Sequence, residues 1–329
     1  MNTKILSFTE RGYRLALRIA GETGGTASRC EEGGLAAWTE LAFASAEAIV
    51  YVGACGIAVR AISPFVRHKA EDPAVLVVDE CGQFVIPILS GHLGGANALA
   101  RHLAEALGAL PVITTATDGR GLFAVDVWAK AQGCALPEPG GIKRVSAKLL
   151  RGEKVFFCSE FPIAGERPEN VFPSAGEKAD FALTIRRVPA GTLACVPRIA
   201  ALGVGCRKGI EQEALEGQLQ AFLEKHGLQE SAIRCVCTID RKSGEPGFLA
   251  FCDAHGWELR SFSAGELNAL PGSFSSSNFV EKTVGTDNVC ERSAVLGSKG
   301  KLIAGKYAGN GATFAAAIAP YFPKWRECQ

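Results

Sequence analysis

A histidine stands at a glycine-rich corner of the sequence, where an apolar run ends. The segment SGHLGGAN (90–97) places Ser90, His92 and Asn97 among three glycines, directly after the apolar residues 84–89. Histidine changes its charge near neutral pH, so His92 is suited to general acid or base chemistry. A lone histidine is more often structural, but the end of a strand is where open α/β folds place their ligands.

Two further corners resemble this one. GACGIAVR (53–60) leaves an apolar run and enters a helical pattern, and TTATD (114–118) places Asp118 after another apolar run. Such corners offer free backbone N–H groups to an anion, although a glycine that only permits a tight turn is the simpler interpretation of the first. Because ligands of open α/β sheets bind beyond the carboxyl ends of strands, we expect all three corners on one rim of one sheet.

Basic side chains stand beside glycines in the last third of the chain. GVGCRKG (203–209) carries Arg207 and Lys208, and GKYAGNGAT (305–313) carries Lys306. Guanidinium and ammonium groups at glycine-rich turns are suited to clamping carboxylates. This part of the chain therefore predicts a cleft with N–H donors and a few cations, which fits a ligand bearing several carboxylates.

Charged residues of both signs mark two more segments of the same third. In DRKSGEPG (240–247), Lys242 and Glu245 stand three residues apart in a turn, and a surface pair of little energetic value is one interpretation. Glu291 and Arg292 open a predicted helix. Each feature is bland by itself, and both are included in the predicted cleft.

Familiar catalytic and nucleotide-binding motifs are absent from the sequence. No G-x-G-x-x-G follows the first predicted strand, and the sequence holds no Walker A loop, no G-x-S-x-G and no H-E-x-x-H. The five histidines lack metal-ligand spacing, and the twelve cysteines include one C-x-C and no C-x-x-C. We therefore expect no catalytic metal held by the protein.

Strands alternate with helices through much of the chain, which predicts α/β architecture. We expect an N-terminal Rossmann-like, three-layer domain with a mostly parallel sheet over residues 1–125. A small middle α/β domain or connector should follow over 126–200, and a C-terminal α/β domain of two or three layers over 201–329. Two local expectations are a strand over PVITTAT (111–117) and a helix over GATFAAAIAPYF (311–322).

Composition excludes several classes of protein. The 329 residues are 47% hydrophobic and 21% charged, with a formal net charge of +1, so disorder and a general affinity for nucleic acid are not expected. No run of about 20 predominantly apolar residues is present, and the N-terminal residues lack the apolar core of a signal peptide. The sequence therefore predicts a cytoplasmic protein without membrane or nucleic-acid partners.

These motifs resemble those of the cobalamin-biosynthesis protein CbiG family, the cobalt-precorrin-5A hydrolases of the anaerobic corrin pathway. The resemblance covers nearly the whole chain. The segments that carry it are SGHLGGAN, TTATD, GACGIAVR, GVGCRKG, ID-x-K-x-x-E-x-G (239–247) and VG-x-x-NV-x-E (284–291).

The resemblance implies a reaction in porphyrin and corrin metabolism. Family members open the δ-lactone between the ring A acetate and the methylated bridging carbon of a cobalt-containing macrocycle. They then expel that carbon with its methyl group as acetaldehyde, a hydrolase reaction on a carbon–carbon bond that gives cobalt-precorrin-5B. The cobalt arrives in the substrate, so the protein needs no cofactor of its own.

For this reaction we expect His92 to act as the base, the N–H groups of Gly94 and Gly95 to bind the lactone oxyanion, and Asp118 to orient groups or relay protons. The remaining site residues should contact the substrate, several of them as clamps for its acetates and propionates. They are Gly53, Gly56, Arg60, Lys69, Ser90, Asn97, Thr115, Gly205, Arg207, Lys208, Lys242, Glu245, Glu291 and Lys306.

Two other functions stay open at this point. The C-terminal part also resembles small stand-alone proteins of the aerobic corrin route, so a non-catalytic carrier of tetrapyrrole intermediates is the main alternative. The other alternative is a generic nucleotide- or sugar-phosphate-binding protein, and the glycine loops are its only support. The expected partners are the cobalt-containing tetrapyrrole and other corrin-pathway enzymes that receive the product, and the sequence leaves open whether the protein is a homodimer.

Overall fold

The structure is a computed structural model that describes residues 1–31, 34–68, 71–91, 94–114, 122–175, 178–277, 281 and 283–325. Contacts within the chain divide it into two units, Met1–Val127 and Trp128–Gln329. Each unit is described by itself. Mixed α/β architecture, as predicted, is present in both.

The first unit contains a six-stranded sheet in the order β2-β1-β3-β4-β5-β6. Its strands are β1 Thr3–Ser7, β2 Thr26–Arg29, β3 Ala48–Val52, β4 Ala74–Val78, β5 Phe84–Leu89 and β6 Leu110–Pro111. Its helices are α1 Glu10–Thr23, α2 Leu35–Ser45, α3 Cys55–Ile62 and α4 Ala96–Leu107. All neighbouring strands are parallel except β4 and β5, which pair antiparallel.

Helices cover both faces of this sheet, because its central strands are apolar on both sides. Every residue of β3 and β4 is buried. One face packs against α1 and α4, with Ile19 and Leu103 in its core, and the other packs against α2 and α3, with Ala42 and Ile62 in its core. The predicted three-layer, mostly parallel domain is confirmed.

A tight turn reverses the chain between β4 and β5. The Asp79 carboxylate accepts hydrogen bonds from the backbone N–H groups of Cys81 (3.0 Å), Gln83 (2.7 Å) and Phe84 (2.6 Å). Gly82 takes the left-handed conformation that the turn requires, with φ of +69°. As a result β5 runs opposite to β1, β3 and β4.

The second unit begins with a five-stranded sheet in the order β7-β11-β10-β8-β9. The strands are β7 Cys134–Ala135, β8 Val155–Ser159, β9 Val171–Pro173, β10 Phe181–Leu183 and β11 Leu193–Pro197, with helices α5 Val125–Ala131 and α6 Gly140–Leu150. Lys324 and Trp325 pack here, since the Trp128 ring stacks on Trp325 at 5.3 Å and its indole N–H donates to the Lys324 carbonyl at 2.8 Å. The predicted boundaries at residues 125 and 200 stay predictions.

A further five-stranded sheet of the second unit has the order β14-β13-β12-β16-β15. Its strands are β12 Ala200–Cys206, β13 Ile233–Ile239, β14 Glu258–Phe262, β15 Lys301–Gly309 and β16 Ala312–Ile318. The helices are α7 Gln212–His226, α8 Pro246–Ala254, α9 Ala264–Ala269 and α10 Cys290–Ser298. Strands β12, β13 and β14 are parallel, and the β15–β16 hairpin joins antiparallel to β12.

Glycines let α10 lie directly on this sheet. A Cβ atom added at Gly203 of β12 would stand 1.8 Å from the Cys290 carbonyl oxygen, and one added at Gly297 of α10 would stand 2.1 Å from the Cys237 sulfur. These distances are far inside van der Waals contact. Gly203 of the strand and Gly297 of the helix therefore permit the close approach of helix and sheet.

Two local predictions differ from the structure. The predicted helix over residues 311–322 is wrong, because residues 312–318 form the buried strand β16. Alanine favours helices, but the residues Phe314, Ala316 and Ile318 enter the core at the period of a strand, and pairing with both β12 and β15 overrides the local preference. The predicted strand over 111–117 begins as β6, which ends at Pro111.

Candidate functional site

A cavity of about 560 Å³ opens at the carboxyl end of β12 in the second unit. Its walls come from the turn after β12, the end of β13, the segment before α10 and the β15–β16 hairpin. The lining residues are 205–208, Ile239, Lys242, 283–284, 287–290, Lys306 and 308–313. The volume falls within the usual range for small-molecule sites, roughly 300 to 1,000 Å³.

Apolar side chains and basic side chains share the lining. Ile239, Val284, Val289, Ala308 and Ala312 contribute an apolar surface. The basic residues are Arg207, Lys208, Lys242 and Lys306. A surface of this composition suits a ligand with an apolar body and anionic substituents.

Three of these cations lack an acidic partner. Within the described residues, no carboxylate lies within 4.0 Å of the side-chain nitrogens of Arg207, Lys208 or Lys306. Asp287, the one acidic residue among the described lining residues, is paired with Arg292 at 2.8 Å. The cavity therefore has an excess of positive charge that an anionic ligand would neutralise.

A two-residue hairpin turn forms one wall of the cavity and supports Arg207. The turn residues Asn310 and Gly311 have φ of +50° and +78°, as a type I′ turn requires. The Gly311 carbonyl accepts a hydrogen bond from the Arg207 backbone N–H at 2.9 Å. A Cβ atom at Gly311 would stand 2.8 Å from the Arg207 side chain, so glycine leaves room for the guanidinium.

Gly205 lies in the last part of β12 and lines the cavity. Its carbonyl accepts a hydrogen bond from the Thr313 hydroxyl at 3.2 Å, and a Cβ atom here would stand 2.7 Å from that hydroxyl oxygen. Gly205 therefore keeps the β12–β16 pairing close at the mouth of the cavity.

Glu291 is buried beside the cavity without lining it. Its carboxylate accepts hydrogen bonds from the backbone N–H groups of Ser275 and Lys306, each at 2.8 Å, and from the Asn288 side chain at 2.9 Å. The side chain thus joins the start of α10 to β15 and to the loop around residue 275. Glu291 was predicted to bind substrate, but its carboxylate is already hydrogen-bonded to groups of the protein itself.

Lys242 and Glu245 form an ion pair at 3.2 Å, and their side chains are only 17% and 14% exposed. This burial corrects the interpretation of the two residues as a plain surface pair. Lys242 lines the cavity, and the Glu245 carboxylate also accepts a hydrogen bond from the Gly209 backbone N–H at 2.8 Å. The structure thus brings Gly205, Arg207, Lys208, Lys242 and Lys306 to one cavity and leaves Glu245 and Glu291 outside its lining.

We expect the two cysteines of the cavity to be poor nucleophiles at neutral pH. Burial raises the pKa of the Cys206 thiol to about 11, although the nearby Lys242 lowers it slightly. Burial likewise raises the pKa of the Cys290 thiol to about 11. Thiolate is the nucleophilic form of cysteine, and both side chains are thiols at neutral pH.

The corner around residues 90–97 lies in the first unit. Ser90 is buried with φ of +56°, and its hydroxyl donates to the Asp72 carbonyl at 2.9 Å. A Cβ atom at Gly94 would stand 2.3 Å from that of Ser90, so this glycine permits the chain to fold back on itself. Gly95, with φ of +86°, immediately precedes α4, and Asn97 is buried in its first turn. Four predicted site residues therefore share one corner.

Strand direction separates this corner from the one around residues 53–60. Gly53 follows Val52, which pairs with Val78 at the carboxyl end of β4, whereas Ser90 follows the strand residue that pairs with Val75. Because β5 is antiparallel to β4, the two corners lie at opposite ends of the strands, at least three strand residues apart, which is roughly 10 Å at about 3.3 Å per residue. The prediction that these corners share one rim is wrong.

The helix that follows Gly53 holds two more predicted site residues. Gly56 lies in the first turn of α3, and the Arg60 guanidinium donates to the Gly56 carbonyl at 3.4 Å. Arg60 is exposed, and its side chain bends back along its own helix. Four further predicted site residues fall outside the described residues: Lys69, His92, Thr115 and Asp118.

Neither a metal cluster nor a membrane segment occurs in the part of the chain that the structure describes. It contains no group of three or more His, Cys, Asp or Glu side chains that could hold a metal ion. None of its helices is both long enough and apolar enough to cross a bilayer.

Sequence reasoning missed the residues that frame the cavity from a distance along the chain. Asp287, Asn288 and Gly311 were not predicted as site residues. The first two reach the cavity on the segment before α10, and Gly311 reaches it on the β15–β16 hairpin, which pairs with β12. The Asn-Gly dipeptide at 310–311 is a strong signal for a two-residue hairpin and could have identified the turn.

Comparison with known protein families matches three successive parts of the chain. Residues 37–118 match the family described as cobalamin synthesis G N-terminal, residues 123–193 match the cobalamin biosynthesis central region, and residues 200–317 match the cobalamin synthesis G C-terminus.

Three curated proteins are similar over most of their length. A cobalt-precorrin-5A hydrolase from Salmonella typhimurium is 34% identical, with 88% of this chain and 86% of that protein aligned. One of the same name from Priestia megaterium is 31% identical, with 85% and 80% aligned. A probable cobalt-precorrin-5A hydrolase from Methanocaldococcus jannaschii is 26% identical, with 82% and 84% aligned.

Proposed function

The chain belongs to the CbiG family of cobalamin-biosynthesis proteins, and from that membership we propose that it is a cobalt-precorrin-5A hydrolase. Two relatives of that name exceed 30% identity, and each is aligned over at least 80% of its own length. The proposed substrate is therefore a cobalt-containing tetrapyrrole with acetate and propionate side chains. The cobalt belongs to this substrate.

The proposed reaction has two steps, hydrolysis of the lactone and then loss of acetaldehyde. Water adds to the lactone carbonyl, and the ring opens to a carboxylate and a hydroxyl group on the methylated bridging carbon. A base then removes the hydroxyl proton, the carbon–carbon bond to the macrocycle breaks, and acetaldehyde leaves. The electron pair of that bond remains on the macrocycle, which takes up a proton. The first step needs oxyanion donors and both steps need a base.

The cavity at β12 is proposed to bind the edge of the macrocycle. The observation that carries this assignment is a set of cations beside an apolar surface, Arg207, Lys208 and Lys306, which have no acidic partner among the described residues. Charge-assisted hydrogen bonds to carboxylates are about twice as strong as neutral ones. Peripheral carboxylates would pair with the cations while the apolar ring covers Ile239 and Val289.

The proton transfers are assigned to the corner that follows β5. His92 is proposed as the base, the N–H groups of Gly94 and Gly95 as oxyanion donors, and Asp118 as the group that orients or relays. These roles stay predictions, as do the cytoplasmic location and the hand-over of product to other corrin-pathway enzymes.

Anaerobic incubation of the purified protein with cobalt-precorrin-5A tests the proposal. Acetaldehyde release and the mass of the macrocycle are followed for the wild type, for His92→Ala, and for His102→Ala, a control at an exposed histidine of α4. We expect catalytic acetaldehyde from the wild type and the control, and its loss in folded His92→Ala. Tight binding of the substrate without acetaldehyde would replace the hydrolase with a tetrapyrrole carrier, and full activity of His92→Ala would refute the proposed base.

A further inference from the structure

The short turn that carries two of the cavity cations is held at both ends. We refer to residues 207–209 as the cation turn. At one end the Arg207 N–H donates to the Gly311 carbonyl at 2.9 Å, and at the other the Gly209 N–H donates to the Glu245 carboxylate at 2.8 Å. Gly209 has φ of +65°, so the chain leaves the turn in a left-handed conformation.

The second anchor is a side chain from a distant part of the sequence. Glu245 stands 36 positions after Gly209 and immediately precedes α8. One of its oxygens accepts from Gly209, and the other lies 3.2 Å from the Lys242 ammonium. The Gly209 hydrogen bond, and then the charges of Lys242 and Lys208, hold the pKa of this carboxyl below its usual range. Both oxygens are therefore occupied by the protein.

A backbone contact reinforces this anchor. A Cβ atom added at Gly247, in the first turn of α8, would stand 2.1 Å from the Ile210 carbonyl oxygen and 3.1 Å from the Gln212 nitrogen. The start of α8 thus touches the backbone just beyond the cation turn. Lys242, Glu245 and Gly247 of the motif at 239–247 thus all belong to the contacts that hold residues 207–212 in place.

We propose that Glu245 is a positioning residue that fixes the cation turn, so that Arg207 and Lys208 present their charges to the cavity. Its ion pair also neutralises Lys242, which leaves Arg207, Lys208 and Lys306 as the cations that pair with carboxylates of the ligand. The inference rests on the proposed function, because it takes the ligand to be the carboxylate-rich tetrapyrrole substrate.

Two substitutions separate the roles of the Glu245 side chain. Glu245→Gln keeps an oxygen that can accept from Gly209 and removes the charge beside Lys242, whereas Glu245→Ala removes both contacts. Glu224→Gln, which removes a charge from an exposed position of α7, is the matched control. Each variant is compared with the wild type in kcat and KM for cobalt-precorrin-5A, after its thermal unfolding has been measured.

We expect Glu245→Ala to raise KM about tenfold, equivalent to about 1.4 kcal/mol, while kcat changes by less than about twofold. Glu245→Gln should recover most of the affinity, since the hydrogen bond to Gly209 remains. A wild-type KM in both folded variants, or a fall in kcat at constant KM, would overturn the positioning role.

The wild type separates this inference from the proposed function. If the wild-type protein neither binds nor converts cobalt-precorrin-5A, the proposed function has failed. If it converts the substrate and both Glu245 variants match Glu224→Gln, the hydrolase stands and the positioning role is overturned. Should Glu245→Ala fail to fold, Glu245→Leu takes its place, because it also removes both contacts and fills a similar volume. The same tenfold rise in KM is expected of it, and a KM equal to that of Glu224→Gln would overturn the positioning role.

Discussion

Arg207 is the residue at which the binding role of the cavity is most directly tested. Its guanidinium lines the cavity without an acidic partner among the described residues, and its backbone is fixed by Gly311. Arg207→Gln should raise KM for the substrate about tenfold with kcat nearly unchanged, since a hydrogen bond to a charged group is worth about 1.5 to 3 kcal/mol. Steady-state kinetics on Arg207→Gln and on Lys301→Gln, an exposed lysine of β15, make the comparison. Equal KM values in the two variants would remove Arg207 from the site.

The cavity cysteines give a prediction about pH. With pKa values of about 11, Cys206 and Cys290 remain thiols until the pH approaches that value. At pH 8 each of the two thiols is ionised in about one molecule in a thousand. Iodoacetamide at pH 8 should therefore modify exposed Cys81 well before either cavity cysteine. Mass spectrometry of digested protein measures the order of modification. Rapid labelling of Cys290 would contradict the burial that the structure gives it.

At the scale of elements, the contact between α10 and β12 should dominate the stability of the last sheet. Gly203→Ala places a methyl group against the Cys290 carbonyl oxygen, and backbone on both sides leaves little room to adjust. We expect a loss of roughly 3 kcal/mol in the free energy of unfolding, the upper end of the usual range for overpacking.

Gly217→Ala, at an exposed position inside α7, is the matched control, and a gain of about 0.5 to 1 kcal/mol is expected there. Urea unfolding of the two variants and the wild type provides the comparison. A wild-type midpoint for Gly203→Ala would mean that helix and strand are not in the close contact described.

The sequence predicts elements well where local signals agree with packing. Helix α7 ends at His226, and Gly227 after it has the left-handed conformation typical of a helix C-cap, with φ of +61°. The apolar runs of β3 and β4 are typical of buried strands. Prediction fails for β16, where alanines favour a helix but neighbouring strands decide the outcome. It also fails at the two corners of the first sheet, because the reversal at Asp79 sets the direction of β5 and corner motifs carry no information about strand direction.

The site residues also divide into those that local sequence signals predict and those that depend on tertiary packing. The basic side chains Arg207, Lys208, Lys242 and Lys306 were predicted from their type and their glycine neighbours, and the structure brings them to one cavity. The supporting contacts of Glu245 and Glu291 were not predicted, since each depends on pairing between segments distant in sequence. The local sequence pattern thus identifies side chains that could bind a ligand or take part in catalysis, and tertiary pairing decides which of them a ligand can reach.

At the scale of the whole molecule, the positive charge that could attract an anionic ligand is concentrated at the cavity. The formal net charge is +1, so the protein as a whole has little long-range attraction for an anionic macrocycle. The unpaired cations of the cavity should then account for most of the salt dependence of binding, because the Debye length is about 8 Å at 0.15 M ionic strength. The kcat/KM of the wild type is expected to fall as salt rises from 0.05 to 0.5 M, while the double variant Arg207→Gln/Lys208→Gln starts lower and falls less steeply. Parallel salt dependences would show that the attraction originates elsewhere on the protein and would separate substrate binding from this cavity.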